Sequence, residues 1–420
     1  ALIIQGTVDA PVELTSNAPF PLEGDWAGIT VSGGVLDMQH AIVEYAENGV
    51  TCEADDVAVS CVITDSTIRS NSGYGVYGHA LRTGVLDLWL ERNVVSANLQ
   101  GGAYLYAAGG NPTPLLEAVL VDNTFRNNSS YGLYAYTTSN AESQIEITGN
   151  LFDANGEGIY VYNNRASTLS SYRLFGNELS ANGTGLRYYN YYASIEPEIG
   201  NNFIHDNLSY GIHLSTAGTA SLAPMLTGNT IIDNGQGIYS RATDVLTVTH
   251  SQNYATTTEI YTDAAVDIDA RGNWWGTSTT NVLATGSHPR NLSNVFDGFD
   301  DPSKGVVEYA EWLTLFERPA APSVDPVQSP VAGRTQTLSG TKEPGTGIGV
   351  NGRLLVAADD TTAWSADIDL REGDNPLSVY AVDPTGILSD LVSVLIVRDT
   401  EPPRILSTIP SNGDTVSTQL

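Results

Sequence analysis

The chain has 420 residues and a net charge of −30, with 48 Asp and Glu set against 18 basic residues, of which only Lys304 and Lys342 are lysines. A field this negative argues against nucleic acid as partner, because phosphate binding needs clustered Lys and Arg. The length allows two or more domains, and no apolar run approaches transmembrane length.

Ala1 to Gly6 reads as part of a coil rather than a signal peptide, so any targeting segment is expected to have been removed. Gly24 to Ile29 leads a strand, and Leu36 to Val50 reads as another coil. The two cysteines, Cys52 and Cys61, follow with eight residues between them. Paired, they close a loop holding Glu53, Asp55 and Asp56 and fit an oxidising compartment; two buried free thiols are the alternative.

From Asn93 to Tyr239 one phrase recurs: an Asn, a second Asn five positions on, then Gly and an apolar residue. The copies begin at Asn93, Asn123, Asn150, Asn177, Asn202 and Asn229, spaced by 30, 27, 27, 25 and 27 residues. A degenerate copy with Ser66, Asn71 and Gly75 precedes them. Such a period marks a solenoid, whose units bury their apolar faces against one another. The repeats are poor in helix formers and rich in β-branched and aromatic runs, so the predicted fold class is all-β, a coiled stack of short strands. The asparagines are read as structural: a left-handed corner residue, with amides bonding to one another from coil to coil.

Strand alternation points the residue after each glycine inward and the next one outward. One outward column is then Tyr77, Tyr104, Tyr134, Tyr160, Arg187, His213 and Tyr239. A second is His79, Tyr106, Tyr136, Tyr162, Tyr189, Ser215 and Arg241. Nine of the 21 tyrosines fall in these 14 positions. Two explanations compete, a stacked structural ladder and a binding strip whose ring faces meet sugars. None of the 14 positions is acidic. Arg187 and His213, on adjacent rungs beside Tyr189, form the one candidate proton-transfer set, with loops 107–114 and 163–171 as expected walls of a cleft.

Beyond Tyr239 the coils fade through 245–249 and 265–269. Asn273-Trp-Trp-Gly-Thr277 precedes an expected polar loop, and Val306 to Phe316, with Tyr309, Trp312 and Leu315, is apolar enough to cover the open end. Asp297, Asp300 and Asp301, or Glu53, Asp55 and Asp56, are weak Ca²⁺ candidates, with solvated acidic turns as the bland account. His40, His205, His250 and His288 lack metal spacing and read as surface residues. Residues 319–334 form a Pro-rich linker, and 335–398 alternate like a small antiparallel sandwich with Trp364 in its core. Residues 399–420 look like a second linker and the start of a further module.

The phrase Asn-x-Φ-x-x-Asn-x-x-Gly-Ile-Tyr resembles the right-handed parallel β-helix repeat of the pectate-lyase-like superfamily, over residues 1 to 316. Asn273-Trp-Trp-Gly-Thr277 is similar to a segment that recurs where bacterial surface proteins of this class end their helix, and 335–397 resembles bacterial immunoglobulin-like modules. The resemblance implies a β-helix with a C-terminal cap over 1–318, followed by a sandwich that serves as a stalk on a secreted or cell-surface protein. It leaves function open, since the fold hosts lyases, hydrolases, adhesins and fibres. Non-catalytic contact with a glycan or protein along the tyrosine strip is the preferred expectation. A polysaccharide lyase or hydrolase on the same strip is the alternative, and a filament subunit a second one. No cofactor is expected beyond possible Ca²⁺.

Overall fold

The computed structural model describes residues 1–8, 10–165, 167, 169–244, 246–249, 252–254, 258–315, 318–350, 353–370, 373–384 and 387–399. The expected module start at 400–420, His250 and Phe316 lie outside the described residues. Two compact units separate, residues 1–319 with 382–388, and 320–381 with 389–420.

The first unit is a parallel β-solenoid with three faces. Among the described residues, sheet A has 12 strands, sheet B has 10 and sheet C has 11, each linked to the same face of the next coil. A complete coil runs through sheet A at Leu115–Val121, sheet B at Thr124–Arg126 and sheet C at Tyr131–Thr138. Parallel strands in register stack the inward side chains in columns. Val76, Ala103, Leu133, Ile159, Leu186, Ile212 and Ile238 are all buried, as the alternation predicts. On sheet B, Phe125 and Phe152 stack at 4.9 Å.

Two amide ladders fix the corners. Asn93, Asn123, Asn150, Asn177, Asn202 and Asn229 follow sheet A, while Asn71, Asn98, Asn128, Asn155, Asn182, Asn207 and Asn234 follow sheet B; all are buried. Within the ladders Nδ2 donates to the Oδ1 of the next coil, as from Asn123 to Asn150 at 2.9 Å, and to a main-chain carbonyl of the preceding coil, as to Leu90 at 2.9 Å; Asn229 and Asn234, the last of each, donate to main-chain carbonyls. The left-handed residue is not the Asn itself but the one before it: Arg92, Asp122, Asn201, Ala97, Asn127, Ala154 and Ala181 have φ between 53° and 56°. That turn swings the following carboxamide inward, where it satisfies main-chain groups no strand reaches. The closing glycines have a packing reason. A Cβ on Gly132 would meet the carbonyl of Gly158 at 2.6 Å and the Phe152 ring at 2.7 Å.

At the C-terminal end, Asn273 donates to the carbonyl of Ala270 at 2.7 Å and Trp275 is fully buried. The expected polar loop is instead a helix, Gly276–Leu283. Its Ser, Thr and Asn residues have poor intrinsic propensity, but Thr279, Thr280 and Leu283 pack inward, and tertiary burial overrides the local preference. Val307–Glu308 adds the last strand of sheet A, and buried Tyr309 and partly buried Trp312 pack on the core beside it.

The second unit contains small antiparallel sheets. Thr335–Thr341 pairs with Ala363–Asp369, and a four-stranded sheet includes Thr346–Val350 and Val392–Arg398. Trp364 is buried among Leu338, Ile348 and Val379, as expected. Part of the predicted linker is not a free spacer. Ser323 and Asp325 donate to the carbonyls of Thr341 and Ser339 at 2.9 and 2.8 Å, and Val324, Val327 and Val331 pack on this core.

Candidate functional site

Sheet C carries the tyrosine strip, and its strands align both outward columns rung by rung. In the first row Tyr77, Tyr104, Tyr134 and Tyr160 are partners in register. Their rings stack face to face at 5.3, 4.9 and 5.0 Å, with interplanar angles of 10°, 8° and 11°. In the second row Tyr106, Tyr136, Tyr162 and Tyr189 stack at 5.3, 4.9 and 5.1 Å. The first row continues past the expected end at Tyr239 to Tyr261 and Phe296, which stack at 4.3 Å.

A third row was not legible from strand alternation. Tyr131–Thr138 runs out, in, in, out, because Gly132 and Leu133 both turn inward at the corner. Tyr74, Tyr131 and Tyr210 therefore face outward beside the first row. Tyr131 leans on Tyr134 at 5.0 Å, and Tyr74 reaches over the next rung to Tyr104, also at 5.0 Å. Gly101 makes room for that lean, since a Cβ there would stand 3.0 Å from the Tyr74 ring.

Mutual stacking changes what the strip presents. Ring faces are occupied by neighbouring rings, so edges and hydroxyls remain for solvent, repeated once per coil. Burial, reinforced by neighbouring phenols, pushes the Tyr104 and Tyr134 hydroxyls well above the ordinary range. Burial takes Tyr160 up to about 12 despite the Arg187 charge. These phenols stay protonated and able to donate and accept.

The middle of the strip is polar. Arg187 donates to Glu157 at 3.0 Å, and its guanidinium lies 4.8 Å from the Tyr160 ring centre. Burial raises the Glu157 carboxyl against the pull of Arg187. His213, on the rung next to Arg187, stands edge-on to Tyr239 at 4.9 Å. Burial first, then Arg187 and Arg241, lower its ring to about 4. Tyr189 lies in the second row, opposite Ser215. Arg241 is 3.4 Å from Asp263, which also accepts from the Tyr239 hydroxyl at 3.1 Å. Thus the 14 expected positions hold no carboxylate, but the wider face does: Glu157 in the third row and Glu53, aligned with His79, in the second.

The loops expected to wall a cleft follow the sheet C strands. A concavity of about 550 Å³ lies along the opposite edge, where chain enters the strands, lined by Glu47, Asn48, Ser72, Tyr74, Gln100 and Tyr104 among others. Cys52 and Cys61 form a disulfide, buried inside the coil between sheets C and A. Glu53 points out onto sheet C, while Asp55 and Asp56 pair with Arg82 at 2.6 and 2.9 Å. Asp297 accepts from the Phe299 and Val307 main chain, Asp300 from Asp297, and Asp301 from Ser303, each within 3.3 Å. Among the described residues no group of three or more His, Cys, Asp or Glu is gathered to hold a metal. Nor is any helix among them long and apolar enough to cross a membrane.

A family model described as the right handed beta helix region matches residues 28–253, more than half of the chain. No curated protein matches the sequence significantly. The two amide ladders and the three parallel sheets lie across that span, and the chain belongs to the right-handed β-helix region family.

Proposed function

We propose that this is an extracellular contact protein that binds an extended polysaccharide lying along the solenoid axis on the tyrosine strip, without cleaving it. The observation that carries this reading is the pair of stacked rows, Tyr77 to Tyr160 and Tyr106 to Tyr189. They offer rigid edges and hydroxyls at the ~4.8 Å rung spacing of a sheet. Tyrosine gives large contact area at low conformational cost, and a repeating ligand meets the same groups at each rung. The buried disulfide fits an oxidising location. The antiparallel C-terminal unit is assigned as an immunoglobulin-like stalk and the solenoid as pectate-lyase-like. Affinity electrophoresis against a panel of soluble polysaccharides tests the reading. Retardation by at least one polymer, lost on replacing Tyr106, Tyr136 and Tyr162 together by Ser, is expected. Binding that survives this triple substitution removes the strip.

One observation favours the catalytic alternative. Glu157, Arg187 and His213 form a cluster of shifted groups, a pattern enriched at active sites, with His213 neutral at pH 7. Release of unsaturated ends from an acidic polysaccharide, abolished in His213→Gln, would establish a lyase in place of the contact reading.

A further inference from the structure

The concavity at the entry edge of sheet C has a composition unlike that of the strip's polar middle. Glu47 and Gln100 stand exposed at its rim, with Ser72 and Asn48 between them and the Tyr74 and Tyr104 rings as a wall. Asn48 is held in place, its Oδ1 accepting from the Tyr74 main chain at 2.9 Å. Gly73 keeps that approach open, since a Cβ there would meet Asn48 Oδ1 at 2.3 Å. Gly101 lets Tyr74 lie across the sheet without crowding, so the two glycines and the lean together shape the hollow. Its volume of about 550 Å³ is within the range of small-molecule sites.

We propose that this hollow is an anchoring subsite for one neutral sugar residue of a polysaccharide whose chain continues along the strip; it rests on the contact function proposed above. The lining offers amides, hydroxyls and one carboxylate, which donate to and accept from sugar hydroxyls, beside the edges and hydroxyls of the Tyr74 and Tyr104 rings. Among the described residues no Lys or Arg lines it. Glu47 would therefore face a uronate without compensation, which selects against acidic sugars by an unpaired like charge. The polar middle, with Arg187 and Arg241, lacks that bias.

The test uses the whole chain in affinity electrophoresis with neutral glucans, xylans and mannans beside polygalacturonate and alginate. Binding of a neutral polymer is expected, weakened about tenfold in Glu47→Ala/Gln100→Ala, which is what losing two net hydrogen bonds comes to. Both side chains are exposed, so an unchanged melting temperature keeps a folding defect out of the result. Neutral binding that is unchanged in this variant, yet lost in the Tyr106/Tyr136/Tyr162 variant, overturns the subsite and leaves the strip standing. Loss in the first variant with survival in the second removes the strip and keeps the hollow. Binding of acidic polymers alone, or of none, overturns the subsite.

Discussion

The side-chain oxygen of Asn128 accepts twice from Asn98, from the main-chain N–H at 3.2 Å and from Nδ2 at 3.0 Å. Asn128 in turn donates to the carbonyl of Val95 at 3.1 Å. Asn128→Ala leaves two donors and one carbonyl stranded in a dry corner, each costing about 1–3 kcal/mol. A loss on the order of 3 kcal/mol or more is expected in urea denaturation. A change below about 1 kcal/mol would show that the ladder contributes little beyond the sheets.

The residues before the ladder carry the backbone cost. Ala154 and Ala181 sit at φ 55° and 53°, a region that costs an L-residue roughly 1–2 kcal/mol. Glycine removes that strain and gives back part of it in unfolded-chain entropy. Ala154→Gly should therefore raise stability by about 0.5–1 kcal/mol. Thermal unfolding measures this, and a drop in melting temperature contradicts the corner assignment.

Stacking and contact are separable at Tyr134, which has parallel neighbours on both sides. Tyr134→Ala loses these two stacks and the Tyr131 contact beside them, at about 0.5–1.5 kcal/mol each. Tyr134→Phe keeps the stack and removes one hydroxyl, so its melting temperature should stay near that of the unsubstituted protein. Calorimetry on both variants decides whether the rows stabilise the coil. Equal destabilisation in both would place the stabilising interaction in the hydroxyl.

Glu259 lies buried near the closing helix, within 3.4 Å of the Thr279 hydroxyl, and burial raises its carboxyl from 4.5 to about 8. The folded state thus holds a proton that the unfolded state releases above about 4.5. Stability from this group is complete below that pH and is lost as the pH rises towards 8. Glu259→Gln, a permanently neutral analogue, should flatten the decline between pH 5 and 8. An unchanged slope in denaturation across that range would contradict it.

Much of the solenoid was legible because its corners repeat. Asn123 and Asn150 occupy equivalent positions, and equivalence alone predicts that their amides meet. The left-handed residues were less so, since Ala97, Arg92 and Asp122 share no side-chain chemistry; only their place before an Asn unites them. Tyr74, Tyr131 and Glu157 escaped for a different reason. Period-two counting fails where Gly132 and Leu133 point the same way, so the third row falls out of phase. The helix at Gly276–Leu283 depends on burial against the solenoid core, which no local propensity records. The occupied ring faces are a property of side-chain rotamers, which sequence does not print.

The ladders also set a graduation. Because the strands that carry Tyr134 and Tyr136 pair in register and are tied at their entry corner by the ladder that follows sheet B, the spacing along the strip cannot be stretched or compressed to suit a longer or shorter partner. Reach can change only by gain or loss of entire coils, in steps like the 27 residues between Asn123 and Asn150. Excising one such coil would join like to like on all three faces, so this surface evolves as a ruler does, by whole divisions.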